Sequence, residues 1–515
     1  MPLCLSVLGS PHLFKGSFTD VLFQGLNTFI AYSRTEKNRI FRTYAASMFG
    51  KTSEWRNFTI HLGNPLKNFM NKLIRRFNKL ALKNYISAFV EKKDLYTVVG
   101  LKAGGILVSY IFMLAATSWY GADAWGRFTI GFACLQLIGI LGKAGQDMVL
   151  INLLPPLHKG GDFHAIRVIR IKSLAFILLL GVILTFLLLT LKSPLNKLFF
   201  EKANGNALWY WVAAALIPFL VHEFQIESLR AMGHNILYAL GKHLHYFGFG
   251  VVTLFICFKF ANLDEPVLGA FTIGLIVSMI VATLFWSMFR PQPAYNHNPV
   301  SGSSPAWRTL LHMGWPFMVT SSITLLFGYI DTLMVGAYLG DAATGVYNAA
   351  VKISTVTTLS MTAAHTVQAR RFSLYYHQGD YNGLEAYAKR ITRWTFIFSF
   401  PVAIVLWYFP EYFLTVFNQS FARGATALRY LVIGHMISVS CGSVLLLLQF
   451  TNQQIAARNL AAIGTTLNLM LNVILIPFAG IQGAALSSMV GIAFINLGGI
   501  WLTQRQLGIN TFLKI

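Results

Sequence analysis

From residue 96 onward the chain alternates long apolar runs with short polar gaps. Twelve of these runs approach or exceed the roughly 20 residues that an α-helix needs to cross hydrocarbon: 96–119, 126–153, 172–191, 208–230, 235–260, 266–289, 307–330, 343–367, 387–409, 425–450, 455–478 and 482–503. Backbone in lipid must satisfy its own hydrogen bonds, so such runs predict helices, and the fold class is all-α membrane with twelve transmembrane helices. Several runs exceed what a bilayer requires, which implies tilt or protrusion. The longest gaps are 155–171, 290–306 and 368–386, and the second, rich in Pro, Ser and Asn, falls midway, where a linker between two half-domains belongs. The expected organisation is a cytoplasmic basic extension over 1–95, a six-helix bundle over 96–290, a linker over 291–306 and a second six-helix bundle over 307–515.

The gaps carry a repeat. Gly121, Gly126 and Phe128 between spans one and two have the spacing of Gly340, Gly345 and Tyr347 between spans seven and eight, 219 residues later. At the same offset Met232–Asn235 faces Thr451–Gln454, and Leu268-Gly269-Ala270 opens span six much as Gln482-Gly483-Ala484 opens span twelve. One match means little, but ordered landmarks indicate duplication. Six crossings return the chain to its starting side, so the halves are parallel repeats, with a cavity between them and alternating access by rocking.

Composition agrees: 55% of the 515 residues are hydrophobic and 11% charged, against roughly a quarter charged in soluble domains. The net charge of +23 is spread over loops rather than gathered on one soluble face, so membrane topology, not nucleic acid, accounts for it. Basic residues such as Arg167, Arg170, Arg290, Arg308, Arg370, Arg371, Arg390 and Arg505 concentrate on one side, which predicts a multi-pass protein with both termini cytoplasmic. Cys4, Cys134, Cys257 and Cys441 lie far apart and show no metal or disulfide spacing. Residues 1–95 hold fifteen Lys or Arg and no span; within them 66–83 is amphipathic and basic, the pattern of a helix lying on an anionic leaflet or docked on the protein itself. Met1–Ser10 has no basic n-region, so no signal peptide is expected there.

The segment from Trp315-Pro316 through Tyr329-Ile330-Asp331-Thr332-Leu333-Met334-Val335-Gly336 to Thr344-Gly345-Val346-Tyr347-Asn348-Ala349-Ala350-Val351-Lys352 resembles the polysaccharide exporters, the lipid-linked oligosaccharide flippases of the multidrug/oligosaccharidyl-lipid/polysaccharide superfamily. Ser228–Gly233, Tyr376–Asp380, Asn472–Pro477 and Ile481–Ala485 echo it, and the likeness covers roughly 96–510. Asn152 stands where many relatives carry an arginine, and Arg370 where many carry a proline. The resemblance implies translocation of undecaprenyl-diphosphate-linked oligosaccharide from inner to outer leaflet for surface polysaccharides such as lipopolysaccharide, in the bacterial inner membrane. It implies no enzymatic reaction and no cofactor beyond coupling to H+ or Na+, as in an antiporter. Expected partners are the lipid-linked glycan, membrane lipids and a polysaccharide polymerase or glycosyltransferase complex.

An anionic cargo needs cations along a wet cavity. Lys143, Lys242 and Lys352 lie well inside spans, where a charge costs about 2.5–3.5 kcal/mol on insertion scales, and Arg230 ends span four. With no acid within one turn, Lys352 is the leading candidate and matches a position where the family commonly carries a basic residue. For Lys143, pairing with Asp147 one turn away weighs as much as substrate binding. Glu223 and Glu227, like charges at i and i+4, repel unless one is protonated or both meet a cation, which makes them and Asp147 the expected coupling-ion site. Pro316, behind Gly314, is the expected hinge, whereas Asp331 reads as a residue near the outer end of span seven that caps a helix or touches water. His243 and His245 fall on different faces, so at most one would line a cavity, and His365 and His435 read as packing residues.

Two rival readings remain. A cation-coupled drug exporter of the same superfamily would favour an acidic cavity over mid-membrane lysines. A membrane glycan polymerase or ligase needs a large outer loop, and none is long enough.

Overall fold

The computed structural model describes residues 64–200, 205–261, 263–289 and 306–512, and is helical throughout these, with no strand among them. The chain divides into two units, Met1–Lys92 and Lys93–Ile515. Of the first, only the helical backbone from Asn64 is described; the faces of the amphipathic stretch 66–83 and most of the linker 291–306 lie outside the described residues.

The helices are α1 (Asn64–Lys143), α2 (Gln146–Gly160), α3 (Phe163–Thr190), α4 (Lys192–Phe199), α5 (Asn206–Ala231), α6 (Asn235–Phe260), α7 (Pro266–Phe289), α8 (Trp307–Ser354), α9 (Leu359–His377), α10 (Tyr381–Tyr408), α11 (Pro410–Thr415), α12 (Ala425–Cys441), α13 (Val444–Phe450) and α14 (Gln454–Leu507). Eight helices among the described residues are long and apolar enough to cross a membrane, or nine when the bent pair α12 and α13 is taken as one. Three of the eight are longer than any single crossing requires. Non-helical glycines break them where the hydropathy pattern places gaps: Gly121 in α1, Gly340 in α8 and Gly480 in α14. Each has positive φ, a region that L side chains avoid and glycine enters freely.

Two expected loops are different in kind. Most of 155–171 and 368–386 is helical, so α2 with α3, and α9 with α10, are interrupted only briefly. These segments are polar at the surface, and hydropathy reads their polarity as loop although their helical hydrogen bonds persist. The breaks themselves match: Gly161 and Gly379 are left-handed, and the Asp162 and Asp380 side chains that follow cap Ala165 and Gly383.

Local geometry therefore recurs along the chain. Gly121 and Gly340 share φ 82° and ψ −174°; Gly233 and Asn452 are both left-handed; α3 and α10 each run 28 residues. The paired glycines also meet. A Cβ on Gly126 would fall 1.8 Å from the Asp341 carbonyl, and one on Gly345 would fall 2.3 Å from that of Ala122, so α1 and α8 touch backbone to backbone. At the other end of the same two halves, a Cβ on Gly145 would fall 2.1 Å from the Gly314 carbonyl.

Four irregularities inside apolar runs are invisible to hydropathy. The helix breaks at Ala144-Gly145, a π-turn occupies Leu240–His245 within α6, a 3-10 turn at Thr355–Thr358 joins α8 to α9, and Gly442 separates α12 from α13.

Candidate functional site

The break after Lys143 and the π-turn in α6 bring four charged residues together. Lys143 closes α1, Asp147 lies in the first turn of α2, Glu223 sits in the interior of α5, and Lys242 belongs to the π-turn. A π-turn adds a residue to the helical repeat and re-aims the side chains beside it. Gly241 there lies so near α5 that a Cβ would come within 2.4 Å of Ile226.

Glu223 is the hub. It is 2% exposed; its Oε2 lies 2.6 Å from Lys242 Nζ and 3.4 Å from Lys143 Nζ, and its Oε1 accepts from the Tyr246 hydroxyl. Lys143 Nζ is also 3.3 Å from Asp147, and Arg230 reaches the buried Glu227 at 3.4 Å. Each carboxylate of the i and i+4 pair thus meets its own cation, which relieves the repulsion that the sequence poses. Burial of charges at this density is tolerable only because they are paired. Lys143, Asp147, Glu227, Arg230 and Lys242 line a cavity of about 380 Å³ whose far wall is α8, through Met318, Thr320, Ser321 and Thr324. The cavity therefore lies between the first half and span seven. Its three cations and the acids Asp147, Glu223 and Glu227 balance in formal charge.

Lys352 stands apart. It lies on α8 with Nζ 5.1 Å from the centre of the Phe247 ring of α6, and it has no ion pair among the described residues. The Tyr110 hydroxyl of α1 donates to the Lys352 carbonyl at 2.5 Å. A half-buried ammonium facing only an aromatic ring retains its capacity for an anion. Pro316 is within α8, whose only non-helical residue is Gly340; beside it, Gly314 packs on the broken segment at Gly145. His243 and His245 share the π-turn with Lys242.

A second polar centre escapes sequence reasoning. Asp331 is no surface cap but is buried in α8, at 6% exposure. It accepts from Asn472 Nδ2 at 2.5 Å, from the Tyr347 hydroxyl at 2.9 Å and from the Ser488 hydroxyl, and no cation pairs with it among the described residues. Asn472 also donates to Asn468 at 3.3 Å, which leaves Asn472 Oδ1 and Asn468 Nδ2 buried without partners among the described residues. The available signal was the repeat: 219 residues earlier the positions of Asp331 and Tyr347 hold Phe112 and Phe128, whose rings pack 5.3 Å apart. The second half has polar groups where the first has an aromatic core.

Other charges hold elements in place. Arg170 of α3 lies 3.4 Å from the centre of the Trp286 ring and donates to Gln225 and Ser228 of α5. Arg127 reaches Glu265, in the turn before α7, at 3.4 Å and Asp341 of α8 at 4.0 Å. Burial among the Asp341 and Asp264 charges, partly offset by Arg127, raises the Glu265 carboxyl to about 6.

Residues 95–369 match the sequence model of the family described as polysaccharide biosynthesis protein, and residues 316–478 match that of MatE. Over 402 residues the chain is 23% identical to an uncharacterized membrane protein of Methanocaldococcus jannaschii, covering 74% of this chain and 78% of that protein. Among solved structures, the inward closed conformation of the lipid II flippase MurJ superposes with a TM-score of 0.64 at 12% identity, covering 79% of this chain and 87% of that one. The inward-facing conformation of a multidrug resistance MATE family transporter gives 0.61 at 14% identity, with 78% and 94% covered. A MOP superfamily transporter from Pyrococcus furiosus, described as having a binding pocket of reverse polarity, gives 0.57 at 19%, with 81% and 96% covered. These likenesses establish the fold.

Proposed function

The chain belongs to the polysaccharide biosynthesis protein family, and from that premise we propose that this multi-pass transporter turns a polyprenyl-diphosphate-linked oligosaccharide from the inner to the outer leaflet by alternating access. The observation that carries the reading is Lys352. It is an ammonium group at the contact of the two halves, facing Phe247 of the first half and unpaired among the described residues, where a diphosphate would supply the missing anion. Lys143, Lys242 and Arg230 line the cationic cavity but already hold carboxylates, so an anion joins them only by displacing one.

Coupling to H+ or Na+ has two candidate seats. At Glu223 and Glu227 the cations are built in. Asp331 has hydrogen-bond donors but no positive charge, so a proton or a monovalent cation is what its burial calls for. We assign coupling to Asp331 and the balance of the cationic cavity to Glu223 and Glu227. The setting proposed is the bacterial inner membrane with both termini cytoplasmic, beside a polymerase or glycosyltransferase complex.

A drug-export reading is favoured by the MatE match over 316–478 and by the same acidic residue in the second half. One experiment separates the two. The full chain in proteoliposomes is given undecaprenyl-diphosphate-linked oligosaccharide in the inner leaflet, and outer exposure is followed by lectin binding; parallel vesicles are assayed for ethidium transport. Glycan exposure without ethidium transport supports the flippase. Ethidium transport without glycan exposure overturns it.

A further inference from the structure

The second half holds a partly open cavity of about 350 Å³ that the charged site does not use, walled by α8, α9, α12, α13 and α14 and by the turn before α9. It adjoins the cationic cavity, for Thr324 of α8 lines both. Their characters differ. No Asp, Glu, Lys or Arg lines the second cavity, and its polar groups are uncharged or imidazole, among them His365, His435, Ser438, Ser443, Thr465 and Asn496, set in a wall that is otherwise largely apolar and includes Phe327.

Two of these groups lack a partner among the described residues, whereas Thr465, Ser438 and Asn496 already bond within the protein. His365 Nε2 and Ser443 Oγ are buried with no hydrogen-bond partner among the described residues. Ser443 follows Gly442, whose φ of +74° breaks span ten, and α12 and α13 meet there at 43°. The bend places Ser443 on the cavity wall in a stretch that hydropathy reads as continuous helix. Ser438 and Asn496 bond each other at 3.2 Å across α12 and α14.

This lining selects by exclusion. A charged ligand would give up its hydration and find no opposite charge in return. A plain hydrocarbon would leave the His365 Nε2 and Ser443 Oγ atoms without partners, although the Thr465 and Ser438 hydroxyls already bond within the protein. What fits is an uncharged ligand with a hydrogen-bonding rim and an apolar face, and a pyranose ring has both. We infer that this cavity is a subsite for an uncharged sugar residue of the cargo, while the diphosphate stays with the cationic groups; the inference rests on the lipid-linked glycan reading.

The test uses the full chain in nanodiscs with two probes, undecaprenyl diphosphate carrying one N-acetylglucosamine and bare undecaprenyl diphosphate. His435→Leu and Thr465→Leu lie on different helices, and Thr465→Ser keeps the hydroxyl. Either leucine variant should weaken binding of the sugar-bearing lipid about tenfold and leave the bare lipid unchanged, with Thr465→Ser close to the parent. Equal loss for both lipids would put a hydrocarbon chain in the cavity and overturn the inference. No loss for either would also overturn it, while the flippase reading stands. Failure of the unsubstituted protein to bind either lipid would remove both.

Discussion

Lys352 differs from the other intramembrane lysines in what faces its ammonium group. Lys143 and Lys242 share Glu223, whereas Lys352 meets a ring. Lys352→Ala should therefore lower glycan translocation at least about tenfold with normal membrane abundance, since no buried partner is stranded, and Lys352→Arg should restore part of it. Near-normal translocation by the alanine variant would remove Lys352 from the site. Glu223→Gln has a different cost: it leaves two half-buried lysines short of a carboxylate, and since breaking a fully buried pair costs about 3–5 kcal/mol and these lysines are partly solvated, the measurable effect is a smaller but clear fall in thermal stability before any effect on transport. Asp331→Asn keeps the size of the side chain and removes the charge. If Asp331 seats the coupling ion, that variant stays folded and its residual transport no longer responds to an H+ or Na+ gradient. A gradient response equal to that of the parent would return the role to Glu223 and Glu227. Glu265, in the turn before α7, predicts a pH effect. Its carboxyl ionises near 6 rather than at its ordinary value of 4.5, so the folded protein holds that proton more tightly than the unfolded chain. Its contribution to stability is then full below pH 4.5 and is lost as pH rises through 6. The melting temperature of the parent should fall relative to Glu265→Gln across that window, and parallel curves would refute the assignment.

Among the helices, the breaks position the chemistry. The left-handed Ala144-Gly145 step ends α1 at Lys143 and starts α2 near Asp147, so the two charges meet across the break. The π-turn in α6 brings Lys242 onto Glu223. Neither is legible from periodicity, because left-handed steps and π-turns change side-chain direction without changing hydrophobicity. The glycine repeat was legible, but not its purpose. Gly121 and Gly340 turn the chain, while Gly126 and Gly345 allow α1 and α8 to touch. Gly126→Val must displace the Asp341 backbone rather than a flexible side chain, and overpacking of that kind costs about 1–3 kcal/mol or more. The expected result is a lower melting temperature. Unchanged stability would show that the helices can separate there at no cost.

At the scale of the molecule, the two halves touch at both ends of their interface: Gly126 with Asp341 at one, and Gly145 with Gly314 at the other, where Gln146 also donates to the Leu310 carbonyl at 3.3 Å. Alternating access requires each contact to open in turn. Joining Gln146→Cys to Leu310→Cys with a short bifunctional maleimide should stop translocation, and reduction of a cleavable version should restore it; undiminished transport by the joined protein would show that this end never opens. The all-helical membrane fold, the family and the glycine landmarks were written in the sequence, because bilayer thickness fixes the length of apolar runs and the landmarks recur at a constant offset. So were most of the charged candidates, since an ionisable residue in an apolar run is conspicuous. Which charges pair was decided only in three dimensions. Glu223 lies 80 residues from Lys143 and 19 from Lys242, and only the packing of α1, α5 and α6 brings them together. The same holds for Asp331, whose partners Asn472 and Ser488 lie 141 and 157 residues away. Sequence spacing sees neighbours one turn along a helix, whereas burial and pairing depend on which helices pack side by side.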